Sequence, residues 1–309
     1  MQTAILIHGP TASGKTKLSV SLAQKFDGEI VNADSMQVYT DLKVISARPS
    51  EAEMQDVPHH LFGHIAASER YSTGRWLDEA TATIGDIWRR GKLPIIVGGT
   101  GLYHLALCDG LSDIPPVPEN IRDEVRAISK TGGAAALRAR LMADDAETAA
   151  RLQPNDRQRH ARALEVWMAT GKSIGSFQGN KTGAVLSPGK WLGIALTPPR
   201  AKLYARIDKR FEGMLMDGAT AEARRLLQQG LSPDLPIMKA AGVPWLMSYL
   251  REETSPLVAA ENAKRDTRRY AKRQFTWINR QFPFWARIPA IELEQRKRVI
   301  SALFAELDD

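Results

Sequence analysis

Cysteine is almost absent from this chain, since Cys108 is the one cysteine in 309 residues. No intrachain disulfide can form, which suits a reducing compartment. No motif of a catalytic partner surrounds Cys108, and we interpret it as a packed thiol rather than a nucleophile. Acidic residues are also fewer than basic ones, at 35 against 42, and the net charge of +7 favours phosphate-rich partners such as nucleic acids or anionic membranes.

Long apolar runs are missing too. The opening run, Ala4–Ile7, is too short for a secretion signal, and no segment approaches the length of a membrane-spanning helix. Hydrophobic residues make up 43% and charged residues 25%, which is typical of a soluble globular protein with a full core. We therefore expect a cytoplasmic protein that has no membrane partner.

Short apolar segments alternate with helical ones through the first hundred residues. Ala4–Ile7 leads into a helical stretch over 15–26, and further apolar segments follow at Ile30-Val31 and Leu93–Val97. Strands and helices in this order and at these spacings predict the α/β class, with a parallel sheet and right-handed crossovers.

A proline cluster at 114–118 interrupts this pattern. Residues 119–170 are rich in good helix formers, and an apolar segment returns only at Trp191–Thr197. We therefore predict a core whose first part covers 1–112, a helical insertion domain over 113–189, and a continuation of the core, mainly helical, over 190–309.

The turn after the first predicted strand matches the pattern G-x-x-x-x-G-K-[ST] completely, and a predicted helix follows it. Its glycines let backbone N–H groups point at phosphate oxygens, and the helix N-terminus adds the positive end of its dipole. The lysine supplies a mobile charge and the threonine hydroxyl can ligate Mg²⁺, so this P-loop is typical of nucleotide- and ATP-binding proteins. The predicted diphosphate site consists of Gly9, Pro10, Thr11, Ala12, Ser13, Gly14, Lys15 and Thr16, with Thr16 as the metal ligand.

Two further segments lie beyond the carboxyl ends of predicted strands, where the ligands of α/β sheets collect. Asp34 follows the second strand, and its carboxylate could accept a proton, hold Mg²⁺ through water or simply cap a following helix. The turn Gly98–Gly101 follows the third strand, and its glycines permit close approach of the backbone to a ligand. This strand does not end in Asp, which counts against a motor or switch ATPase.

Basic and aromatic residues are interleaved between Lys264 and Arg280, where seven Lys or Arg residues accompany one acid, Asp266. Such a mixture suits a phosphate backbone with unstacked bases, although a solvated charged face is the alternative. The basic residues whose spacing places them near one helix face are Arg265, Arg269, Lys272 and Arg273.

A second basic segment lies in the predicted insertion. We expect a helix to begin there, with Asn155 or Asp156 as its N-cap. Arg159 and Arg162 are three residues apart and share a face of this helix. Taken alone, the segment is more typical of an exposed helix surface than of a site.

Five segments together make the chain resemble the tRNA dimethylallyltransferase family, also called the tRNA isopentenyltransferases. They span nearly the whole chain in the order typical of the family, and four of them are far more specific in combination than the phosphate loop. The segments are Gly9–Thr16, Ala33–Tyr39, Val97–Tyr103, Asn155–Arg159 with Arg162–Glu165, and Thr267–Trp277.

The resemblance implies transfer of a dimethylallyl group from dimethylallyl diphosphate to the N6 amine of an adenosine in the anticodon stem-loop of tRNA, with Mg²⁺ as cofactor, and we expect a monomer. Asp34 matches the family's general base, Thr100 the residue that contacts the adenosine and the donor, and Arg210 a residue that steadies the pyrophosphate. The insertion domain would bind tRNA. The implied tRNA-binding residues are Asp34, Ser35, Met36, Gln37, Thr100, Arg122, Gln158, Arg159, Arg162, Lys239, Arg269, Lys272, Arg273 and Gln274.

Two segments depart from the family's pattern. Ile45–Pro49 stands where Gly-Thr-Ala-Lys-Pro is usual, and it keeps a cation as Arg48. Gly242-Val243-Pro244-Trp245 stands where Gly-Tyr-x-Glu is usual, so an aromatic hydroxyl and an acid are missing there.

Two rival functions remain open. The first is a small-molecule or nucleotide kinase that uses Asp34 as a base and the insertion as a lid, although the basic segment at 264–280 then has no purpose. The second is a non-catalytic RNA-binding protein that uses a nucleotide as a switch. The joint presence of Lys15, Thr16, Asp34 and Thr100 counts against this second rival.

Overall fold

The computed structural model describes residues 2–179, 181–289 and 292–308. The chain forms two compact units. The first contains the residues up to Cys108 and those from Val185 onward, and the second spans Asp109–Ala184. The insertion is predicted at 113–189, and both boundaries of the second unit lie a few residues closer to the N-terminus.

A six-stranded sheet of parallel strands forms the centre of the first unit. The strands are β1 (Ala4–His8), β2 (Gly28–Asn32), β3 (His59–His60), β4 (Leu93–Gly98), β5 (Leu111–Ser112), β6 (Lys181–Thr182), β7 (Trp191–Leu196) and β8 (Ala286–Ile288). The order in the central sheet is β3-β2-β4-β1-β7-β8, while β5 and β6 pair antiparallel in the second unit. Because β1 and β4 are buried at every position, they appear in the sequence as continuous apolar runs. The predicted α/β class and parallel sheet are confirmed.

Helices cover the sheet and form most of the remaining chain. Those in the described residues are α1 (Lys15–Phe26), α2 (Glu51–Met54), α3 (Thr73–Arg89), α4 (Gly101–Asp109), α5 (Glu119–Asp144), α6 (Ala146–Arg151), α7 (Arg157–Thr170), α8 (Arg200–Met216), α9 (Ala219–Gln228), α10 (Val243–Leu250), α11 (Pro256–Gln281) and α12 (Leu293–Asp308). Two 3₁₀ turns lie at Ile174–Phe177 and Pro236–Lys239. In α3, the hydroxyl of Ser72 accepts the N–H of Arg75, and the buried residues Trp76, Ala80 and Ile84 recur at helical spacing.

The second unit is helical and has its own apolar core. Leu137 and Leu141 of α5 pack with Ala163 and Leu164 of α7. Helix α5 is broken at Gly133, which has a φ of 62°. Asp156 caps α7, since its carboxylate accepts the N–H of Arg159 at 3.1 Å, and this confirms one of the two predicted caps.

In the part of the chain that the structure describes, no helix combines the length and the apolar character that membrane crossing requires. Cys108, near the end of α4, is only partly buried, so it is not the fully buried core thiol that the sequence predicts.

Candidate functional site

The phosphate loop connects β1, an inner strand of the sheet, to α1. Ala12 and Gly14 have φ values of 60° and 87°, so the backbone passes twice through the left-handed region. The Lys15 ammonium donates hydrogen bonds to the carbonyl oxygens of Gly9 at 2.8 Å and Pro10 at 2.9 Å. The loop is therefore curled around its own lysine.

The pKa of Lys15 depends on its burial and on two charged neighbours. Burial lowers the pKa of its ammonium to about 8, the Asp34 carboxylate raises it, and the Arg210 guanidinium lowers it again. These three side chains therefore lie within electrostatic reach of one another. A bound diphosphate would favour the charged form of Lys15.

Two side chains from distant parts of the chain brace the phosphate loop. Arg296 of α12 donates to the carbonyl oxygen of Ser13 at 2.7 Å. Gln274 of α11 accepts the N–H of Thr11 at 3.3 Å and donates to the carbonyl oxygen of Gly99 at 2.8 Å. Gln274 is only 5% exposed, so its observed contacts are internal and connect the loop to the turn that follows β4.

Asp34 lies two residues beyond the end of β2. Its Oδ1 accepts the N–H of Met36 at 3.0 Å, and its own N–H is accepted by the Asn32 side chain at 2.8 Å. The following residues form turns, so Asp34 does not cap a helix. Its side chain is partly exposed, and it lines both of the cavities described below.

Thr100 links the turn after β4 to the segment after β2. Its Oγ1 accepts the N–H of Ser35 at 3.0 Å and lies 3.2 Å from the Ser35 hydroxyl. The Thr100 N–H donates to the carbonyl oxygen of Ala33 at 3.1 Å. A Cβ on Gly98 would lie 1.9 Å from the same oxygen, so glycine is required for this approach. Thr100 thus fixes the segment that carries Asp34.

Two cavities meet at this acid. The loop cavity, of about 240 Å³, is lined by the phosphate loop, and the wide cavity, of about 690 Å³, is lined by α8, α10 and α11 together with the segment 236–242. Both cavities share the side chains of Thr11, Asp34, Ser46 and Arg210. Burial lowers the pKa of the Arg210 guanidinium, while Glu53 and Asp34 raise it. The common wall of the two cavities therefore includes an acid and a cation.

The wide cavity has apolar and basic walls. Its apolar side chains include Met36, Ile45, Ile207, Phe211, Met214 and Trp245, and its basic ones are Arg210, Lys239, Arg269 and Arg273. An apolar group and an anionic polymer could both be accommodated by such a lining. Among the other implied RNA residues, Ser35 lines the wide cavity and Gln37 lines the loop cavity.

Two basic side chains of α11 form ion pairs with acids of α8, so this helix offers fewer unpaired cations to a ligand than the sequence indicates. The ion pairs are Lys264–Glu212 at 2.8 Å and Arg268–Asp208 at 2.5 Å. Lys272 is exposed and lines neither the loop cavity nor the wide cavity, whereas Arg269 and Arg273 line the wide one. The sequence of α11 does not indicate these acids, because they lie on α8.

The remaining implied RNA-binding residues lie in the second unit. Arg122 is on α5, and Gln158, Arg159 and Arg162 are on the first turns of α7. Each of the three arginines has an acid of its own helix or cap within 3.4 Å. Gln158 and Arg159 are nevertheless exposed to solvent.

Glu222 of α9 is a site residue that sequence reasoning missed. It is 3% exposed, and its carboxylate accepts the N–H groups of Lys43 at 2.6 Å, Val44 at 3.0 Å and Ile45 at 2.8 Å. It thereby holds the segment that leads to Ser46, a residue of both cavities. One sequence signal could have found it, because an acid occupies the face on which Ala219, Ala223 and Leu226 are buried.

An inner strand that leads into a curled phosphate loop, with an acid and a cation where two cavities meet, defines an enzyme of the P-loop α/β type. The chain belongs to the IPP transferase family, whose model matches residues 37–281. A second model, described as isopentenyl transferase, matches residues 2–62.

Relatives and solved structures agree with this assignment. A tRNA dimethylallyltransferase of Hyphomonas neptunium is 61% identical over 100% of this chain and 98% of its own length. One from Maricaulis maris is 47% identical over 100% and 99%. The full-length tRNA isopentenylpyrophosphate transferase of Bacillus halodurans has a TM-score of 0.72 at 35% identity, covering 99% of this chain and 97% of its own. A eukaryotic dimethylallyltransferase acting on tRNA has a TM-score of 0.72 at 33% identity, covering 89% and 69%.

Proposed function

We propose that this chain transfers a dimethylallyl group from dimethylallyl diphosphate to the N6 amine of an adenosine beside the anticodon of tRNA, releasing pyrophosphate. The names of the relatives support the reaction class. The observation that carries the proposal is the common wall of the two cavities, where Asp34 and Arg210 face both. A diphosphate in the loop cavity and an adenine in the wide cavity would meet at this wall.

The chemistry follows from the groups at the wall. A bond forms between the adenine N6 and the first carbon of the prenyl group, and the bond between that carbon and the diphosphate oxygen breaks. Pyrophosphate leaves with the bonding electrons, and its charge is met by Lys15, Arg210 and the loop N–H groups. Asp34 accepts the N6 proton, which helps because an exocyclic amine is a weak nucleophile.

Magnesium is the proposed cofactor, and the loop cavity fits it. The Thr16 hydroxyl lines this cavity together with Asp34 and Glu53. No group of three or more His, Cys, Asp or Glu side chains that could hold a metal ion occurs in the described residues. With phosphate substrates Mg²⁺ usually keeps several waters and is bound through one or two carboxylates and the substrate phosphates, so the Thr16 hydroxyl, a nearby carboxylate and the diphosphate would hold it here. When bound, it would neutralise charge on the diphosphate.

Adenine must leave its stack to reach Asp34, which costs a few kcal/mol. Cations of the wide cavity and of α7 could offset this cost through contacts with the phosphate backbone. We propose this role for the implied tRNA-binding residues of both units, with the chain acting as a monomer in the cytoplasm.

The test is direct. Purified protein would be incubated with Mg²⁺, labelled dimethylallyl diphosphate and unmodified tRNA, and digested RNA examined for prenylated adenosine. We expect label in adenosine with the wild type, and at least a hundredfold slower transfer with Asp34→Asn, because general bases contribute about 10²–10⁴-fold.

Asp217→Asn is the matched control, since it makes the same change at the exposed C-cap residue that follows α8. It should transfer at the wild-type rate. Absence of transfer to any tRNA, together with phosphoryl transfer from ATP to a small acceptor, would favour the kinase instead.

A further inference from the structure

Trp245 is an aromatic side chain on the wall of the wide cavity. It lies near the start of α10, packs in part against the apolar cluster formed around α9–α11, and also lines the cavity that Asp34 lines. It is partly exposed, so some of the indole surface remains available on the cavity side.

The orientation of this indole is fixed. Its Nε1–H donates to Oδ2 of Asp266 on α11 at 2.8 Å. Because an indole has one polar hydrogen and this one is already bonded, the ring has no further donor for a ligand. What it offers to the cavity is apolar and aromatic surface, which is already ordered before any ligand binds.

The surroundings of Trp245 are basic. Lys239, Arg269 and Arg273 line the same cavity, and the acids beside them are Asp34 and Asp266. Oδ1 of Asp266 forms an ion pair with Arg269 at 3.4 Å. Cations around an aromatic face are the combination that binds single-stranded nucleic acid, where cations contact phosphates and bases stack on rings.

We propose that Trp245 is a stacking platform for an unstacked nucleobase of the substrate RNA. This inference rests on the proposed function and adds to it a binding residue that the family's pattern lacks, since Glu is usual at this position. The platform would give affinity for RNA through apolar contact, independently of the phosphate contacts made by its basic neighbours.

The test measures binding of an unmodified anticodon stem-loop RNA over a range of salt concentrations. Trp245→Leu should raise the Kd about fivefold to a hundredfold, the usual effect of losing one stacked base, while Trp245→Phe should stay within about threefold of wild type. The slope of log affinity against log salt should not change in Trp245→Leu. Lys239→Gln, which removes a cation, should reduce that slope by about one.

Several outcomes would overturn the inference. Wild-type affinity of Trp245→Leu for the RNA would do so. A salt slope that falls in Trp245→Leu as it does in Lys239→Gln would also do so, because the indole would then act only by positioning the cations. If Trp245→Leu does not fold, the fluorescence of Trp245 itself is measured instead, as the emission of the wild type minus that of Trp245→Phe. Quenching of this difference by RNA supports stacking, and unchanged emission refutes it.

Failure of this inference is distinguishable from failure of the proposed function. Prenyl transfer by the wild type would be measured in the same preparations. Transfer by the wild type with no effect of Trp245→Leu on RNA binding refutes only the stacking platform. No transfer by the wild type refutes the proposed function.

Discussion

His104 should make the stability of this protein depend on pH. It is fully buried on α4, one turn beyond Thr100. Its ring packs edge-on against His8 and Trp285, with centroids 5.6 and 5.5 Å apart. Burial lowers the pKa of His104 from 6.5 to about 3.

The sign and size of the effect follow from these two values. Between pH 6.5 and 3 the unfolded chain binds a proton at this residue that the folded chain does not bind, so stability is lost as pH falls below 6.5. Each pH unit is worth about 1.4 kcal/mol, and from pH 7.5 to pH 5 the loss from His104 alone is about 2 kcal/mol. Above about pH 7.5 it contributes almost no dependence.

Urea unfolding at both pH values would measure this loss. His104→Leu replaces the imidazole with an apolar side chain that does not titrate. The carboxylates remain in both proteins, and so does the main cause of the lowered pKa of His8, which is burial rather than the charge of His104. We expect the wild type to lose about 2 kcal/mol more than the variant between pH 7.5 and pH 5. Equal losses in the two proteins would refute the reasoning.

Three further changes test the geometry of the site. Glu222→Gln leaves at least one N–H of 43–45 facing an amide group, so the free energy of unfolding should fall by about 1–3 kcal/mol in urea titrations, and an unchanged value would contradict the arrangement. Gly98→Ala should lower the melting temperature and abolish transfer, because its Cβ would overlap a backbone oxygen, whereas Gly213→Ala, which meets nothing within 4 Å, should be neutral or stabilising. Gln274→Met removes two hydrogen bonds that join the loop to the turn after β4, and the KM for dimethylallyl diphosphate should rise up to about tenfold; unaltered donor kinetics would show that the bridge is dispensable.

The inner strands and the phosphate loop could be predicted from the sequence, because their signals are local. β1 and β4 are continuous apolar runs, and the loop motif is contiguous in the chain. The short edge strand β3 consists of two histidines and has no apolar pattern. It pairs with β2, whose Glu29 carboxylate accepts from His60 at 2.6 Å, and no local rule indicates that pairing.

The bracing of the site could not be predicted, because it joins residues far apart in the chain. Gln274 contacts Thr11 across 263 positions. The burial of Ala271, Gln274, Phe275 and Ile278 at helical spacing marks one face of α11 as internal, but it does not say what that face covers. The resemblance supplied the family and the candidate residues, and the structure supplied the internal contacts of Gln274 and the role of Glu222.

The braces on the phosphate loop have a consequence for synthesis of the chain. The residues of the loop are synthesised early. Their hydrogen-bond partners, Gln274 and Arg296, follow 263 and 283 positions later in the chain. At about 5–20 residues per second, translation takes roughly 15–55 s to reach them. A nascent chain on the ribosome therefore carries the complete loop motif for most of its synthesis time without the contacts that hold the loop in place.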